Sequence, residues 1–419
     1  MMIGVIIGPV WRRRRTAGLP MRGLLKEGAR RSMSIRNHAA ALLLAASLWQ
    51  PARAQQAVTP APDEFAPARA IIADIQKIVT PNGIDETLVL ELGGARQVVN
   101  IRGADRANPI LLYIHGGPGS VEMPMAWSFQ HPWEDFFTVV QWDQRGAGRS
   151  YPLNDPAAIA PTLRLERYRD DAIALIEQLR ARLGQQKVFV LGHSFGSAVG
   201  LAVAQARPDL LHAYIGMGQL IDFRENERVG MQQTLAIARQ RGDAEAERAI
   251  AALRPYPDRG PFTIVQADAW RRYANRFGSL AGLRPDADFY FNSTKLSPLY
   301  TPADLAAWAK GGAFTTTILW PRLADVSFAS VRRLEVPVAF LLGRHDRTTP
   351  SDIAKDWLGK LSAPSRTLCW FENSGHLPMI EEPGRTLTAL LLVRAQALRR
   401  DGAATNFDTA CSQLPASMR

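Results

Sequence analysis

The chain has 419 residues, 47% of them hydrophobic and 8% aromatic, so it is long enough to bury a large core in one domain or two. Its net charge of +11 is concentrated in residues 1–54, which hold ten Lys or Arg residues against one acidic residue. The rest of the chain carries 40 basic and 38 acidic residues. This near-neutral balance excludes a broadly basic surface, and we expect no nucleic-acid partner.

Residues 1–54 have the pattern of an export signal. Arginines precede a short apolar run over residues 39–49, and Ala52-Arg53-Ala54 then offers a small-residue cleavage site. The run is too short to span a bilayer, which takes about 20 apolar residues. We therefore expect cleavage after Ala54, a periplasmic or secreted mature protein and no stable membrane insertion after cleavage. An uncleaved anchor is the alternative.

The remaining chain is predicted to alternate between strands and helices after an Ala/Pro-rich linker over residues 55–82, which ends in a short helix. Gly93-Gly94 separates two runs of β-forming residues, which predicts an antiparallel hairpin. The predicted strands cover residues 87–92, 97–101, 109–114, 136–142, 187–191, 213–217, 336–342 and 367–371. The predicted helices cover residues 69–78, 164–183, 197–206, 229–241, 244–253, 351–361 and 386–399.

This alternation predicts the fold class: α/β, with a mostly parallel central sheet flanked by helices. The alternation of strands and helices stops over residues 220–334, where the pattern is helical and rich in aromatic residues. We interpret that segment as a helical cap over one edge of the sheet, with some rings facing a pocket. The predicted core then covers residues 83–219 and 335–400, and a loose tail covers residues 401–419.

The segment Gly192-His193-Ser194-Phe195-Gly196 reads G-x-S-x-G at the junction of a predicted strand and a predicted helix. That is the sequence form of a nucleophile elbow, in which glycines let strand and helix approach closely and the serine projects from the turn. An ordinary glycine-rich turn with a capping serine is the alternative. The pattern predicts that Ser194 is a nucleophile.

A serine nucleophile needs a base within hydrogen-bond reach and an acid to orient that base. Of the seven histidines, His376 is left by elimination, because it follows the last predicted strand in a Gly-containing loop. Asp346 ends the preceding predicted strand and is the candidate acid. The chain order is then Ser, Asp, His, which is the order of α/β-hydrolases.

Asp143 is the competing acid, but it precedes the serine in the chain. We expect it instead to pair with Arg145 or Arg149 and to brace its own glycine turn. These three residues are therefore assigned a structural role.

The candidate oxyanion site is the glycine loop over residues 115–119, which directly follows a predicted buried strand. Residues without side chains can aim backbone N–H groups at one point, and we assign the N–H groups of Gly117 and Phe195. On this basis Gly117→Ala is expected to reduce turnover more than folding stability.

Cys369 and Cys411 are the only cysteines in the sequence. In an oxidising compartment they would pair and tie the tail to a core strand, and two isolated thiols are the alternative. No CxxC, HExxH or clustered His/Cys pattern is present, so we expect neither a metal nor a cofactor.

The motifs HGGPG, DQRGAGRS, GHSFGS, GRHD and SGH occur in this order. In this respect the chain resembles the proline iminopeptidase branch of the α/β-hydrolase superfamily, over roughly residues 87–399. The resemblance implies a helical cap between the sixth and seventh strands. It also implies a triad of Ser194, Asp346 and His376, with Gly117 and Phe195 as oxyanion donors.

The chain departs from that branch in features that bind substrate. Iminopeptidases usually have G-G-S-W-G at the elbow, and the cap glutamate contexts that hold a free amino terminus are missing here. Glu225 and Glu227 are candidate amine anchors, with solvated carboxylates at a helix start as the alternative interpretation. Arg347 follows the candidate acid, and a cation there would repel an ammonium group and suit a carboxylate or neutral substrate.

These observations predict an exported serine hydrolase that cleaves an ester or amide bond of a small, partly apolar molecule. The main alternative is an aminopeptidase of the proline iminopeptidase type acting on short peptides. A cofactor-free non-hydrolytic enzyme with the same triad and a non-enzymatic binding protein on this fold are further alternatives. The expected partner is a small-molecule or short-peptide substrate.

Overall fold

The computed structural model describes residues 63–398 of the chain. The predicted leader with its cleavage site after Ala54, the first part of the linker, the tail and Cys411 lie outside the described residues. The strands are β1 (Ile84–Leu92), β2 (Ala95–Gly103), β3 (Ile110–Ile114), β4 (Thr138–Asp143), β5 (Val188–His193), β6 (Leu211–Met217), β7 (Val338–Gly343) and β8 (Arg366–Phe371). The helices are α1 (Ala66–Ile75), α2 (Pro156–Ile159), α3 (Leu165–Leu183), α4 (Phe195–Ala206), α5 (Phe223–Gln240), α6 (Ala244–Ala251), α7 (Ile264–Arg276), α8 (Asp288–Ser293), α9 (Pro302–Leu319), α10 (Ser351–Lys360), α11 (Pro378–Glu381) and α12 (Pro383–Leu398).

The eight strands form one sheet in the order β1-β2-β4-β3-β5-β6-β7-β8. The predicted hairpin is confirmed, because β1 and β2 pair antiparallel around the turn at Gly93-Gly94. β2 is also antiparallel to β4, whereas all pairs from β4 to β8 are parallel. The predicted fold class, a mostly parallel sheet flanked by helices, is thus confirmed.

Both faces of the sheet are buried, as the continuous apolar runs in the sequence require. In β3, Ile110, Leu112 and Ile114 belong to a core cluster shared with α3 and α4, while Leu111 and Tyr113 belong to a cluster shared with α12. Alternate residues of a strand point to opposite faces, so one short apolar run supplies both cores. Each fully buried Leu or Ile stabilises the fold by roughly 1.5–3 kcal/mol.

The segment between β6 and β7, here called the cap, contains α5 to α9 and has a core of its own, which includes Trp270, Tyr273 and Phe277. Helix α5 begins earlier than the sequence predicts, at Phe223. The physical reason is Asp222, whose carboxylate accepts the backbone N–H of Glu225 at 2.7 Å and caps the helix.

The carboxyl ends of β3 to β8 lie at one edge of the sheet, because these strands are mutually parallel. Ligands of open α/β sheets bind at this edge. The glycine loop over residues 115–119, Ser194, Asp346 and the loop that carries His376 all follow such strand ends. Within residues 63–398, no helix has both the length and the apolar character to cross a membrane.

Candidate active site

Ser194 occupies the sharp turn between β5 and α4. Its φ of 56° and ψ of −123° lie in a region that a non-glycine residue adopts at a cost of order 1–3 kcal/mol. A Cβ on Gly196 would collide with the carbonyl oxygen of Ile114, and one on Gly192 would collide with that of Gly196. The two flanking glycines therefore let α4 pack against β3 and β5, and the strained turn directs the serine away from the strand.

His376 and Asp346 form a hydrogen-bonded pair. The imidazole Nδ1 lies 2.7 Å from Oδ2 of Asp346, and both side chains are buried. The other carboxylate oxygen accepts the N–H groups of Thr348 and Thr349 at 2.8 and 2.9 Å, and the Thr349 hydroxyl donates to Oδ2 at 2.8 Å. Because the carboxylate only accepts, Nδ1 carries a proton and the neutral ring has Nε2 free to act as a base.

The loop that carries His376 packs against His193, the residue before Ser194, and against Gly218, which follows β6. The backbone N–H of Ser194 donates to the carbonyl of Met217 at 3.0 Å, and a Cβ on the next residue, Gly218, would lie 3.0 Å from Cε1 and Nδ1 of His376. The ring of His193 lies 4.8 Å, centre to centre, from that of His376. The structure thus gathers the three predicted residues at one edge of the sheet.

The glycine loop after β3 lies directly against Ser194. A Cβ on Gly116 would be 2.6 Å from the Cβ of Ser194 and 3.2 Å from its Oγ. Gly117 follows, with a φ of 113°. Phe195 is the first residue of α4, so its N–H has no acceptor within the helix. The backbone around the serine can therefore present N–H groups, and the assignment of Gly117 and Phe195 as oxyanion donors stays a prediction.

His193 and Glu122 form a buried pair that the sequence analysis missed. The Nδ1 atom of His193 lies 2.6 Å from Oε1 of Glu122, which also accepts the hydroxyl of Tyr290 at 2.9 Å. Nε2 of His193 lies 2.8 Å from the main-chain oxygen of His376. Burial alone would lower the pKa of His193, but the charge and hydrogen bond of Glu122 outweigh it and raise that pKa. The only signal in the sequence was a histidine next to the serine.

Asp143 braces its own turn, as predicted. Its Oδ2 accepts the backbone N–H of Arg149 at 2.7 Å and the hydroxyl of Tyr300 at 2.5 Å, and the Arg149 guanidinium lies 3.6 Å away. Burial raises the pKa of Asp143 to about 6, although Arg149 and Tyr300 act in the opposite direction. The pairing with Arg145 is not observed, since that guanidinium binds Asp171 at 2.7 Å.

The two candidate amine anchors are both engaged by arginines. Glu225 is partly exposed and pairs with Arg228 one turn along α5. Glu227 is fully buried, so the interpretation as a solvated carboxylate is wrong for this residue. Its Oε1 pairs with Arg271, and its Oε2 accepts the hydroxyl of Tyr256 at 2.6 Å and the indole N–H of Trp270 at 2.9 Å.

Arg347 forms hydrogen bonds with the cap. Its guanidinium donates to the carbonyl of Phe277 at 2.6 Å, and its backbone N–H donates to the hydroxyl of Ser279 at 3.1 Å. Burial lowers the pKa of Arg347, while the charge of Asp346 acts to raise it. The residue thus links the loop of the candidate acid to the cap, and its role towards a substrate stays a prediction.

The cap contacts the loops on both sides of Ser194. The indole N–H of Trp308, on α9, donates to the carbonyl of Val121 at 2.9 Å, just beyond the glycine loop. The backbone N–H of His376 lies 3.1 and 3.0 Å from the carbonyls of Ser279 and Leu280. The cap is therefore bonded to the main chain of both loops.

Across residues 63–398, no group of three or more His, Cys, Asp or Glu side chains is placed to hold a metal ion. The expectations of no metal and no cofactor stay predictions. Cys369 is buried on β8. Because Cys411 lies outside the described residues, its pairing with Cys369 also stays a prediction.

Comparisons with known proteins agree with this architecture. The family model described as "alpha/beta hydrolase fold" matches residues 109–383. The protein named probable aminopeptidase YbaC, of Bacillus subtilis (strain 168), is 30% identical over 298 residues, which are 70% of this chain and 91% of that protein. The proline iminopeptidase of Neisseria gonorrhoeae is 33% identical over 129 residues, which are 31% of this chain and 38% of that protein.

Among solved structures, the proline iminopeptidase of Mycobacterium smegmatis shares the fold. It matches with a TM-score of 0.55 and 18% identity, covering 75% of this chain and 99% of that one. The family match contains Ser194, Asp346 and His376 together with the cap between β6 and β7. The chain therefore belongs to the α/β-hydrolase fold family, in its proline iminopeptidase-like branch, and is a hydrolase enzyme.

Proposed function

We propose that the protein is an exported serine hydrolase that cleaves an ester or amide bond of a small, partly apolar substrate through an acyl-enzyme. The observation that carries the proposal is the 2.7 Å hydrogen bond between Asp346 and His376, whose ring lies 4.8 Å, centre to centre, from that of His193, the residue before Ser194. A strained serine beside a carboxylate-oriented imidazole is the arrangement that nucleophilic acyl transfer requires.

In the proposed reaction, Oγ of Ser194 attacks the carbonyl carbon of the substrate while Nε2 of His376 takes the hydroxyl proton. The N–H groups of Gly117 and Phe195 stabilise the resulting oxyanion, and His376 passes the proton to the departing alcohol or amine. Water then attacks the acyl-enzyme, again with His376 as base, and the acid is released. Each oxyanion donor of this kind is typically worth about 3 kcal/mol of transition-state stabilisation.

A partly apolar substrate is supported by the cap. Trp308 and Phe314 lie on α9, whose Thr316 hydroxyl donates to the carbonyl of Pro118 in the glycine loop, and both rings retain intermediate exposure. Ring surface left open beside polar backbone groups favours a substrate with an apolar portion. No cofactor is needed for this chemistry.

The second candidate function is an aminopeptidase acting on the free amino terminus of short peptides. The identity to the Bacillus subtilis protein, whose name is probable aminopeptidase, favours it. The contacts of the candidate anchors argue against a requirement for a free amine, because Glu225 and Glu227 are already paired with Arg228 and Arg271. We therefore place the ester or amide hydrolase first.

Export is supported by the basic leader, its short apolar run and the Ala52-Arg53-Ala54 site. N-terminal sequencing of protein secreted by an expressing bacterium tests it. We expect a mature chain that starts at Gln55, in the periplasm or the medium. Retention of residues 1–54 on the exported protein would contradict the proposal.

The activity is tested with p-nitrophenyl esters, aryl amides and a pair of prolyl anilides that differ only in N-acetylation. We expect turnover of esters or aryl amides, equal rates of hydrolysis of the two anilides, and loss of all activity in Ser194→Ala. Activity confined to the anilide with the free amine would establish the aminopeptidase instead. Wild-type activity in Ser194→Ala would overturn both.

A further inference from the structure

Both ring nitrogens of His193 face hydrogen-bond acceptors. Nδ1 lies 2.6 Å from the carboxylate of Glu122, and Nε2 lies 2.8 Å from the main-chain oxygen of His376. A carbonyl oxygen can only accept, so Nε2 must carry a proton. Because an ionised carboxylate also only accepts, Nδ1 carries a second proton, and His193 is an imidazolium paired with Glu122.

The titratable groups around this pair belong to separate elements. Tyr290, on the cap helix α8, donates to the carboxylate oxygen of Glu122 that also binds His193. Tyr113 on β3 and His115 in the glycine loop are further titratable neighbours of Glu122. Burial lowers the pKa of His115 to about 4, so that ring is neutral near pH 7 and adds no charge next to Glu122.

On the opposite side, the His193 ring faces the His376 ring at 4.8 Å, with the charge of Asp346 beyond it. The side chains of His193 and Glu122 are only 3% and 2% exposed. Burying two charges costs several kcal/mol per ion, so such a pair is poor evidence of a gain in stability alone. What the pair does provide is a fixed geometry between the elbow and the loop of His376.

We propose that His193 is a positioning residue, which holds the main-chain carbonyl of His376 through Nε2–H and so fixes the imidazole relative to the adjacent nucleophile, Ser194. Glu122 holds the His193 ring in the orientation that makes this bond. The proposal rests on the proposed function, in which His376 is the general base. It assigns a role in the reaction to the residue immediately before the serine.

The position of His193 in the chain makes the link direct. It is the last residue of β5, one peptide bond from Ser194, and its ring reaches the loop after β8. The sheet alone fixes the ends of these two strands, but not the orientation of a loop residue beyond β8. A displacement of about 1 Å in a catalytic group can cost on the order of 100-fold in rate.

The test compares His193→Asn with His193→Gln in the full-length protein. The amide of asparagine reaches the position of Nδ1 and can bind Glu122 only, whereas the longer glutamine reaches the position of Nε2 and can bind the His376 carbonyl. Both variants remove the same charge. At the plateau of the pH profile, we expect kcat to fall about 10- to 100-fold in His193→Asn at a similar KM, and to be largely retained in His193→Gln.

The pH profile gives a readout that a merely structural role would not change. Both variants remove a positive charge beside the His376 ring, which makes protonation of that ring easier. The acidic limb of kcat/KM against pH should therefore move to higher pH in both. Glu122→Gln keeps the shape of the pair and lets a neutral His193 still donate to the His376 carbonyl, so this variant should retain its plateau kcat. Because His193 is then uncharged, the acidic limb of kcat/KM should again move to higher pH.

Ser194→Ala and wild type are measured alongside, with thermal unfolding of every variant. If Ser194→Ala is fully active, the proposed function itself fails. If Ser194→Ala is inactive, the positioning role is overturned by a folded His193→Asn with the plateau kcat and pH profile of wild type. Equal losses of plateau kcat in the Asn and Gln variants would also overturn it. If neither His193→Asn nor His193→Gln folds, a folded Glu122→Gln with a strongly reduced plateau kcat would overturn the positioning role.

Discussion

Glu227 and Arg271 form an ion pair inside the cap, between α5 and α7. Glu227 also accepts hydrogen bonds from Tyr256 and Trp270, so all its near partners come from the cap itself. A carboxylate engaged in this way stabilises the packing of the cap helices. Its neighbour Glu225 makes only a partly exposed pair with Arg228.

Glu227→Ala should therefore destabilise the protein by about 3–5 kcal/mol, because it breaks an ion pair whose carboxylate is buried and leaves a mostly buried guanidinium, 18% exposed, without that partner. Glu225→Ala, on the same helix, is the matched control and should cost about 1 kcal/mol or less. Urea unfolding of both variants measures the difference. A near-native stability for Glu227→Ala, with a raised KM only for substrates with a free amine, would instead identify Glu227 as an amine anchor.

Asp346→Asn should lower kcat by about 10⁴-fold with little change in KM, as expected when the imidazole loses the group that fixes its tautomer. The amide can donate to Nδ1, which moves the ring proton to Nε2 and removes the base. Thr349→Val is the control, because it removes one hydroxyl bond to the carboxylate and leaves the His376 bond in place. Similar kcat values for Asp346→Asn and wild type would show that another residue orients His376.

Asp143 should make folding stability depend on pH. Burial raises its pKa from 3.8 to about 6, so between these values the folded protein holds a proton that the unfolded chain has released. Stability therefore falls as the pH rises through this window. At about 1.4 kcal/mol per pKa unit, the loss approaches about 3 kcal/mol.

Asp143→Asn does not titrate and should show none of this pH dependence. The free energy of unfolding of both proteins, measured by urea titration at several pH values across the window, gives the comparison. We expect the difference between them to change steadily and then to level off above pH about 6. A difference that stays constant with pH would contradict the assignment.

Gly117→Ala should reduce folding stability together with turnover, contrary to the expectation from the sequence. The φ of 113° is unfavourable for alanine, and a Cβ would lie 2.6 Å from the backbone nitrogen of Gly119. Alanine keeps the backbone N–H, but the clash and the unfavourable φ displace it; a displacement that removes the donor from the oxyanion typically costs 10²- to 10³-fold in kcat, and the strain adds about 1–3 kcal/mol of destabilisation.

Gly94→Ala separates these two effects. Gly94 also has a positive φ, of 74°, but nothing lies within 4 Å of its missing Cβ. It should therefore lose about 1–2 kcal/mol of stability and keep the kcat of wild type. If Gly117→Ala loses stability to the same extent but retains full activity, Gly117 is not an oxyanion donor.

The sheet, the elbow and the Asp346–His376 pair could be predicted because the sequence around each of these features has a recognisable pattern. Continuous apolar runs mark buried parallel strands, and residues that follow such strands come to one edge of the sheet. The chain order of Ser194, Asp346 and His376 then narrowed the choice of acid and base. The hairpin at Gly93-Gly94 was equally local.

Partners of buried charges that lie far apart in the sequence could not be predicted in the same way. Glu122 meets His193, and Arg145 meets Asp171 rather than Asp143, only because the folded loops bring them together. Sequence spacing carries no information about such contacts. The solvated interpretation of Glu227 was wrong for the same reason, since its burial depends on helices whose packing the sequence does not reveal.

The bonds between the cap and the two loops have a consequence for the order of events in a catalytic cycle. Trp308 holds the chain beside the glycine loop, while Ser279 and Leu280 hold the backbone of His376. Lifting the whole cap would break all of these bonds and free both loops from the cap. Entry of a substrate by that route and bond cleavage would then be separated in time, and turnover limited by such a movement would slow as solvent viscosity increases.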